Sequence, residues 1–202
     1  MTTTKEKEEQ GEFNEEQKEF ISKHVRQLAQ SKLEGKAAPN RDSEAREKGL
    51  FKKCGGVFVT FENHGELRGC IGIFVPDDPL FKVIESRTLA SLKDGRFSFN
   101  PITAQEFKNE IEITISVLSA PIPVSDPMKE IVVGVHGIIV SKGSMFRGTY
   151  LPQVATEQGW DLKTFLVHCA VHKAGIPSKD PLNDPSIKWE SYTATLIREN
   201  RH

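Results

Sequence analysis

The stretch Leu67-Arg68-Gly69-Cys70-Ile71-Gly72 follows the apolar run Val57-Phe58-Val59-Thr60-Phe61, and Asn63-His64-Gly65 lies between the two. Two apolar runs joined by a short gap containing Asn and Gly predict a β-hairpin. A three-residue loop sets Thr60 opposite Arg68 and Phe58 opposite Cys70. Side chains alternate along a strand, so Arg68 and Cys70 share one face, while Leu67, Gly69, Ile71 and Ile73 take the other. A thiol then sits beside a fixed positive charge, which favours the thiolate over the thiol. Gly69 and Gly72 leave room for close approach by backbone or ligand. The competing reading is packing: free cysteine is among the most buried residue types, and flanking glycines permit a tight core.

Upstream, residues 1–12 are polar and charged and read as a flexible tail. Residues 13–200 read as one domain. From Asn14 the apolar positions Phe20/Ile21, His24/Val25, Leu28/Ala29 and Leu33 recur at helical steps. Asn14 and Gln17 are spaced for a capping box, and Gly35 can end the helix. The charged connection 36–50 has room for one helical turn. After the hairpin, Pro76-Asp77-Asp78-Pro79 stops the strand, with Asp78 as expected N-cap of a helix to about Lys93. Thr103 and Glu106 suggest a second capping box. Ile111, Ile113, Ile115 and Val117 alternate with Glu110, Glu112, Thr114 and Ser116, the cleanest strand signal in the chain. A hairpin is expected from Val132–Val140 back to Tyr150, then helices opened by Leu151-Pro152 and capped by Asp161, then one closing strand over Trp189–Arg198. Helices and strands in this irregular order predict an α+β fold with a mostly antiparallel or mixed sheet packed with helices.

The chain has 202 residues, 37% hydrophobic and 27% charged, with a net charge of -1. That supports one sizeable core, and the balanced charge argues against nucleic acid as a partner. Three dispersed cysteines fit a reducing cytoplasm rather than a disulfide framework. No apolar run approaches the ~20 residues of a membrane helix, so no membrane partner is expected.

His168 and His172 stand four apart on one predicted helix, but a third ligand is missing nearby, so no metal is expected. Cys169 falls on the buried stripe of that helix. His136, before Gly137, has the chemistry of a base for Cys70, or is a histidine satisfied by backbone. Arg68, Arg147 and the amide of Gln153 could together hold an anion. No phosphate-binding glycine loop is present, and no cofactor is expected.

Leu67-Arg68-Gly69-Cys70-Ile71-Gly72 resembles the signature hexapeptide of the AMMECR family. Gly56-Val57-Phe58-Val59-Thr60, Asp94-Gly95-Arg96-Phe97, Ile111-Glu112-Ile113, Ser116-Val117-Leu118-Ser119, Leu151-Pro152-Gln153-Val154-Ala155 and Gln158-Gly159-Trp160-Asp161 match in the same order. The resemblance implies two unequal subdomains with a cleft between them. It brings Glu112, Gln153 and Trp160 into matched motifs, while the biochemistry of the family is not established. Family members often occur alongside, or fused to, Memo-type proteins and alongside radical-SAM proteins, which implies a shared modification pathway.

The function expected from these residues is a cysteine-dependent enzyme or modification factor. Cys70, Arg68, Glu112 and His136 form the catalytic set, and Gly69, Gly72, Arg147, Gln153 and Trp160 the ligand contacts. The alternative is a non-catalytic binding module for a peptide, nucleotide or partner protein. An arginine on such an open strand is expected to be replaceable within about 0.5 kcal/mol of stability.

Overall fold

The computed structural model describes residues 13–199; the 1–12 tail and residue 200 of the predicted domain lie outside the described residues. Helix α1 (Glu15–Leu33) begins with the expected reciprocal cap: Gln17 N–H donates to Asn14 Oδ1 at 2.8 Å, and Asn14 N–H to Gln17 Oε1 at 3.0 Å. Gly35, with φ +68°, lets the chain leave the helix in a left-handed turn. A short α2 (Asp42–Glu47) occupies the charged connection. The hairpin is β1 (Gly56–Asn63) and β2 (Glu66–Phe74). Helix α3 (Leu80–Ser91) follows, with Pro79 rather than Asp78 at its N-cap and no side-chain cap. A single 3₁₀ turn, Gly95–Phe97, precedes α4 (Ala104–Asn109) and β3 (Ile111–Leu118).

The chain forms two compact units, one running to Leu118 and resuming at Thr195, the other Ser119–Ala194. The first holds a four-stranded sheet in the order β2-β1-β3-β8, where β8 is Ala194–Arg198. Alternation decides its two faces. Val57, Val59, Phe61, Ile113, Ile115 and Val117 turn inward and are buried with Phe20, Ile21 and Val25 of α1 and Leu80, Phe81 and Ile84 of α3. Phe58, Thr60, Glu62, Cys70, Gly72 and Thr114 lie on the opposite face and are half-buried. Arg26 on α1 ties this unit together by donating to Glu199 and to the backbone carbonyls of Phe107 and Ile111.

The second unit carries the sheet β4-β7-β5-β6, with β4 at Ile122–Val124, β5 at Gly137–Lys142, β6 at Phe146–Tyr150 and β7 at Ile187–Tyr192. Its core joins Ile138, Val140 and Trp189 to Phe165, Leu166, Cys169 and Ala170. These four come from α7 (Leu162–His168), capped by Asp161 as expected, and its π-helical continuation Cys169–Lys173. A short α5 (Pro127–Glu130) and α6 (Pro152–Glu157) complete it. Both sheets are antiparallel and packed with helices, the predicted α+β class.

Two further expectations fail for physical reasons. The closing strand is two strands: β7 belongs to the second unit and β8 to the first, with Thr193 between them. There the chain is held by paired bonds with Ser119, Thr193 N–H donating to Ser119 Oγ at 3.0 Å and Ser119 N–H to Thr193 O at 3.0 Å. Val132–His136 is a turn rather than strand. Gly134 takes φ +82°, and the Val135 and His136 N–H groups donate back to Val132 O. Among the described residues no helix is long and apolar enough to cross a membrane.

Candidate functional site

The register of the hairpin places the site. The loop is the two residues His64 and Gly65, with φ 50° and 81°, the left-handed pair of a tight hairpin turn, rather than the three residues expected. A bulge between Phe61 and Glu62 then leaves Arg68 as the extra residue of β2, because Phe61 pairs with Gly69 and Glu62 with Leu67. Cys70 therefore stands opposite Thr60, and Gly72 opposite Phe58. The Thr60 hydroxyl donates to Cys70 Sγ at 3.2 Å. Thr114 completes the row on β3.

The glycines of the hexapeptide serve close packing. A Cβ on Gly69 would lie 2.3 Å from the backbone oxygen of Ser91, and one on Gly72 would lie 2.1 Å from the Phe58 ring. The end of α3 thus presses directly on β2. The buried Ser91 hydroxyl bridges the hairpin, accepting from Ile71 N–H at 3.0 Å and donating to Val59 O at 2.8 Å.

The cation joined to Cys70 is Arg96, not Arg68. Asp94 caps the 3₁₀ turn and accepts the Cys70 N–H at 3.0 Å. Arg96 donates to the Cys70 carbonyl at 3.0 Å and pairs with Asp94 at 2.6 Å. The two side chains thus occupy both backbone groups of Cys70, as a neighbouring strand would. The Arg96 guanidinium holds Asp94 far below the usual carboxylate range, against the desolvation that burial imposes, with the Cys70 N–H assisting. Since the folded value is depressed, this contribution to stability is complete above the unfolded value of about 3.9 and is lost as pH falls through the folded one. Asp94→Asn is accordingly expected to flatten the acid limb of the stability curve below about pH 4. Urea titrations at a series of pH values check this, and an unchanged acid limb refutes it.

Arg68 faces a different partner. Its Nε donates to Glu106 Oε1 at 2.6 Å and its Nη2 to Glu106 Oε2 and to Asn100 O, each at 3.1 Å. Both side chains are largely buried, at 12% and 16% exposure. The pairing with Arg68 holds the Glu106 carboxyl below its ordinary value, and Arg68 is raised in turn. Thr103 caps α4 by accepting from Glu106 N–H at 3.1 Å, but the Glu106 carboxylate goes to Arg68 instead of closing a capping box. Arg68, expected on an open strand face beside the thiol, is instead largely buried and bonded to Glu106 and Asn100.

The remaining candidates distribute as follows. Glu112 lies on the Cys70 face but two strands away and one row along, roughly 12 Å between Cα atoms from strand spacing. It is exposed and stands opposite Glu62. The two glutamates line a cavity of about 490 Å³ with Thr114, Arg198 and Glu199. His136, Arg147, Gln153 and Trp160 belong to the second unit. His136 Nδ1 accepts the Val132 N–H at 3.1 Å. Arg147 is exposed on β6 and Gln153 lies in the first turn of α6. Trp160 joins a cluster of tilted rings, with His168 at 4.4 Å and Tyr150 at 5.8 Å, and His168 contacts His172 at 4.7 Å. Cys169 is fully buried, and burial pushes its thiol up to about 12. Among the described residues no three His, Cys, Asp or Glu side chains converge to hold a metal ion. Asp94, Arg96, Thr60 and Ser91 were missed as site residues; the matched stretches Gly56-Val57-Phe58-Val59-Thr60 and Asp94-Gly95-Arg96-Phe97 contain the first three, and nothing in the sequence pointed to Ser91.

The family model described as AMMECR1 matches residues 14–197. A protein of Methanothermobacter thermautotrophicus is 40% identical over 157 residues, 75% of this chain and 79% of that protein. One from Nanoarchaeum equitans is 36% identical over 187 residues, 89% of this chain and 99% of its own length. The crystal structure of an uncharacterized protein from Pyrococcus horikoshii superposes with a TM-score of 0.75 at 32% identity, covering 93% of this chain and 94% of that one. With a profile match spanning nearly all of the described chain, this protein belongs to the AMMECR1 family.

Proposed function

We propose that this protein is a cysteine-dependent modification factor whose reacting group is Cys70. The observation that carries the reading is the treatment of one residue. Cys70 is only half-buried and its sulfur receives the Thr60 hydroxyl, while both backbone groups of Cys70 are fixed by Asp94 and Arg96. A nucleophile needs that combination of access and fixed direction, whereas a packing cysteine needs neither. Glu62 and Glu112 are the carboxylates on the same face, one row along, and would exchange a proton with the thiol only through bound water or substrate. The three free cysteines, with no bond among them, suit a reducing cytoplasm.

A second reading, a non-catalytic binding module, is favoured by one observation. Among the described residues, no carboxylate or imidazole is hydrogen-bonded to the Cys70 sulfur.

Mass-spectrometric mapping of iodoacetamide labelling at pH 7 tests the proposal. Cys70 is expected to react well ahead of Cys54, which is half-buried with its thiol raised by burial. Cys169 is expected to stay unlabelled while the protein is folded. Labelling of Cys70 no faster than of Cys169 would sink the proposal.

A further inference from the structure

We propose that the Cys70 site takes a negatively charged ligand or electrophile, with Arg96 as the group that selects for charge. This rests on the reading of Cys70 as the reacting residue and adds the class of its substrate.

The ion pair beside Cys70 is asymmetric. The Asp94 side chain is 3% exposed and the Arg96 side chain 58% exposed. A molecule arriving from solvent therefore meets the positive end of the pair, because the negative end is sealed beneath it. Arg96 is also held in place: its Nε and Nη2 bind Asp94, and Nη2 reaches the Cys70 carbonyl. Nη1 carries no hydrogen bond among the described residues and remains available to a ligand oxygen. A guanidinium already fixed on one edge loses little conformational freedom when it binds on the other.

Apart from the buried Asp94, the surroundings do not offset this charge. Arg68 and Glu106 neutralise each other and are largely buried. The row beside Cys70 is neutral, Thr60 and Thr114, and the row of Phe58 and Gly72 is apolar. The negative groups of the face, Glu62 and Glu112, lie opposite each other one row away. An anionic ligand is thus repelled from that end of the sheet and attracted at the β2 edge, where the thiol is.

The experiment compares two alkylating reagents of similar size on the full chain, neutral iodoacetamide and anionic iodoacetate. The neutral thiol N-acetylcysteine amide in the same solution gives the intrinsic ratio of the two reagents. At Cys70 the iodoacetate-to-iodoacetamide ratio is expected to exceed that reference about three- to ten-fold at low salt. It should fall towards the reference in 0.5 M NaCl. Arg96→Gln should remove the preference and Arg96→Lys should retain part of it. The salt titration uses the unaltered protein, so the inference stays testable where a variant folds poorly. A reference-like ratio at low salt, or a preference that survives Arg96→Gln, overturns the inference while leaving Cys70 as the reacting residue. Failure of Cys70 to react with either reagent overturns both.

Discussion

Gly69→Ala is expected to lower folding stability by about 2–4 kcal/mol, a large effect for one methyl group. The reason is the identity of the atom it meets. The new Cβ would lie 2.3 Å from the Ser91 backbone oxygen and 3.3 Å from its carbonyl carbon. Backbone at the end of a helix has no rotamer to change, so β2 must move away from α3. Moving β2 breaks the Ser91 bridge between Ile71 and Val59 and the bond from Cys70 N–H to Asp94. Gly72→Ala makes an instructive contrast. Its Cβ would meet the Phe58 ring at 2.1 Å, which is closer, but a half-buried ring can turn aside. The smaller loss is therefore expected at Gly72. Urea unfolding of both variants beside the parent decides it, and a loss under about 0.5 kcal/mol for Gly69→Ala would show that the contact is not rigid.

The hairpin, the caps at Asn14, Thr103 and Asp161 and the α+β class were legible because each rests on local signals: alternation, a cap residue, a punctuating glycine. The register was not. A glycine marks a turn without stating how many residues turn, and His64 takes a left-handed conformation that composition does not announce. The shorter loop moved the partner of Cys70 from Phe58 to Val59, and the bulge at Arg68 moved it one further, to Thr60. The partner of Arg68 was hidden for a second reason. Glu106 is 38 residues away, and its carboxylate had an equally good local use in closing the cap begun by Thr103. Trp189–Arg198 holds no proline or glycine to punctuate it, so no local signal shows that the strand changes sheets at Thr193. Asp94 and Gly95 follow directly on the helix expected to end near Lys93, so nothing local marks them as part of a site. Their neighbour Arg96 became part of the site only once Cys70 was seen to lie beside it.

Arg68→Ala is expected to cost about 2–3 kcal/mol, several times more than an exposed arginine would. Removing the guanidinium leaves the Glu106 carboxylate, 16% exposed, without the two bonds that hold it ionised, and leaves Asn100 O without its donor. Glu106→Gln should cost less, because the amide oxygen still accepts one bond from Arg68. In the double variant the two losses should fall short of their sum, the signature of a direct pair. Cys70→Ser is the counterpart. The serine hydroxyl keeps the place of the thiol opposite Thr60 and both backbone bonds, so a loss under about 1 kcal/mol is expected. Thermal unfolding separates the two, since 2–3 kcal/mol corresponds to a drop of roughly 5–10 °C in a chain of this size. If Cys70→Ser falls that far while Arg68→Ala stays near the parent, the thiol is a packing element, and the reacting role assigned to Cys70 fails with it.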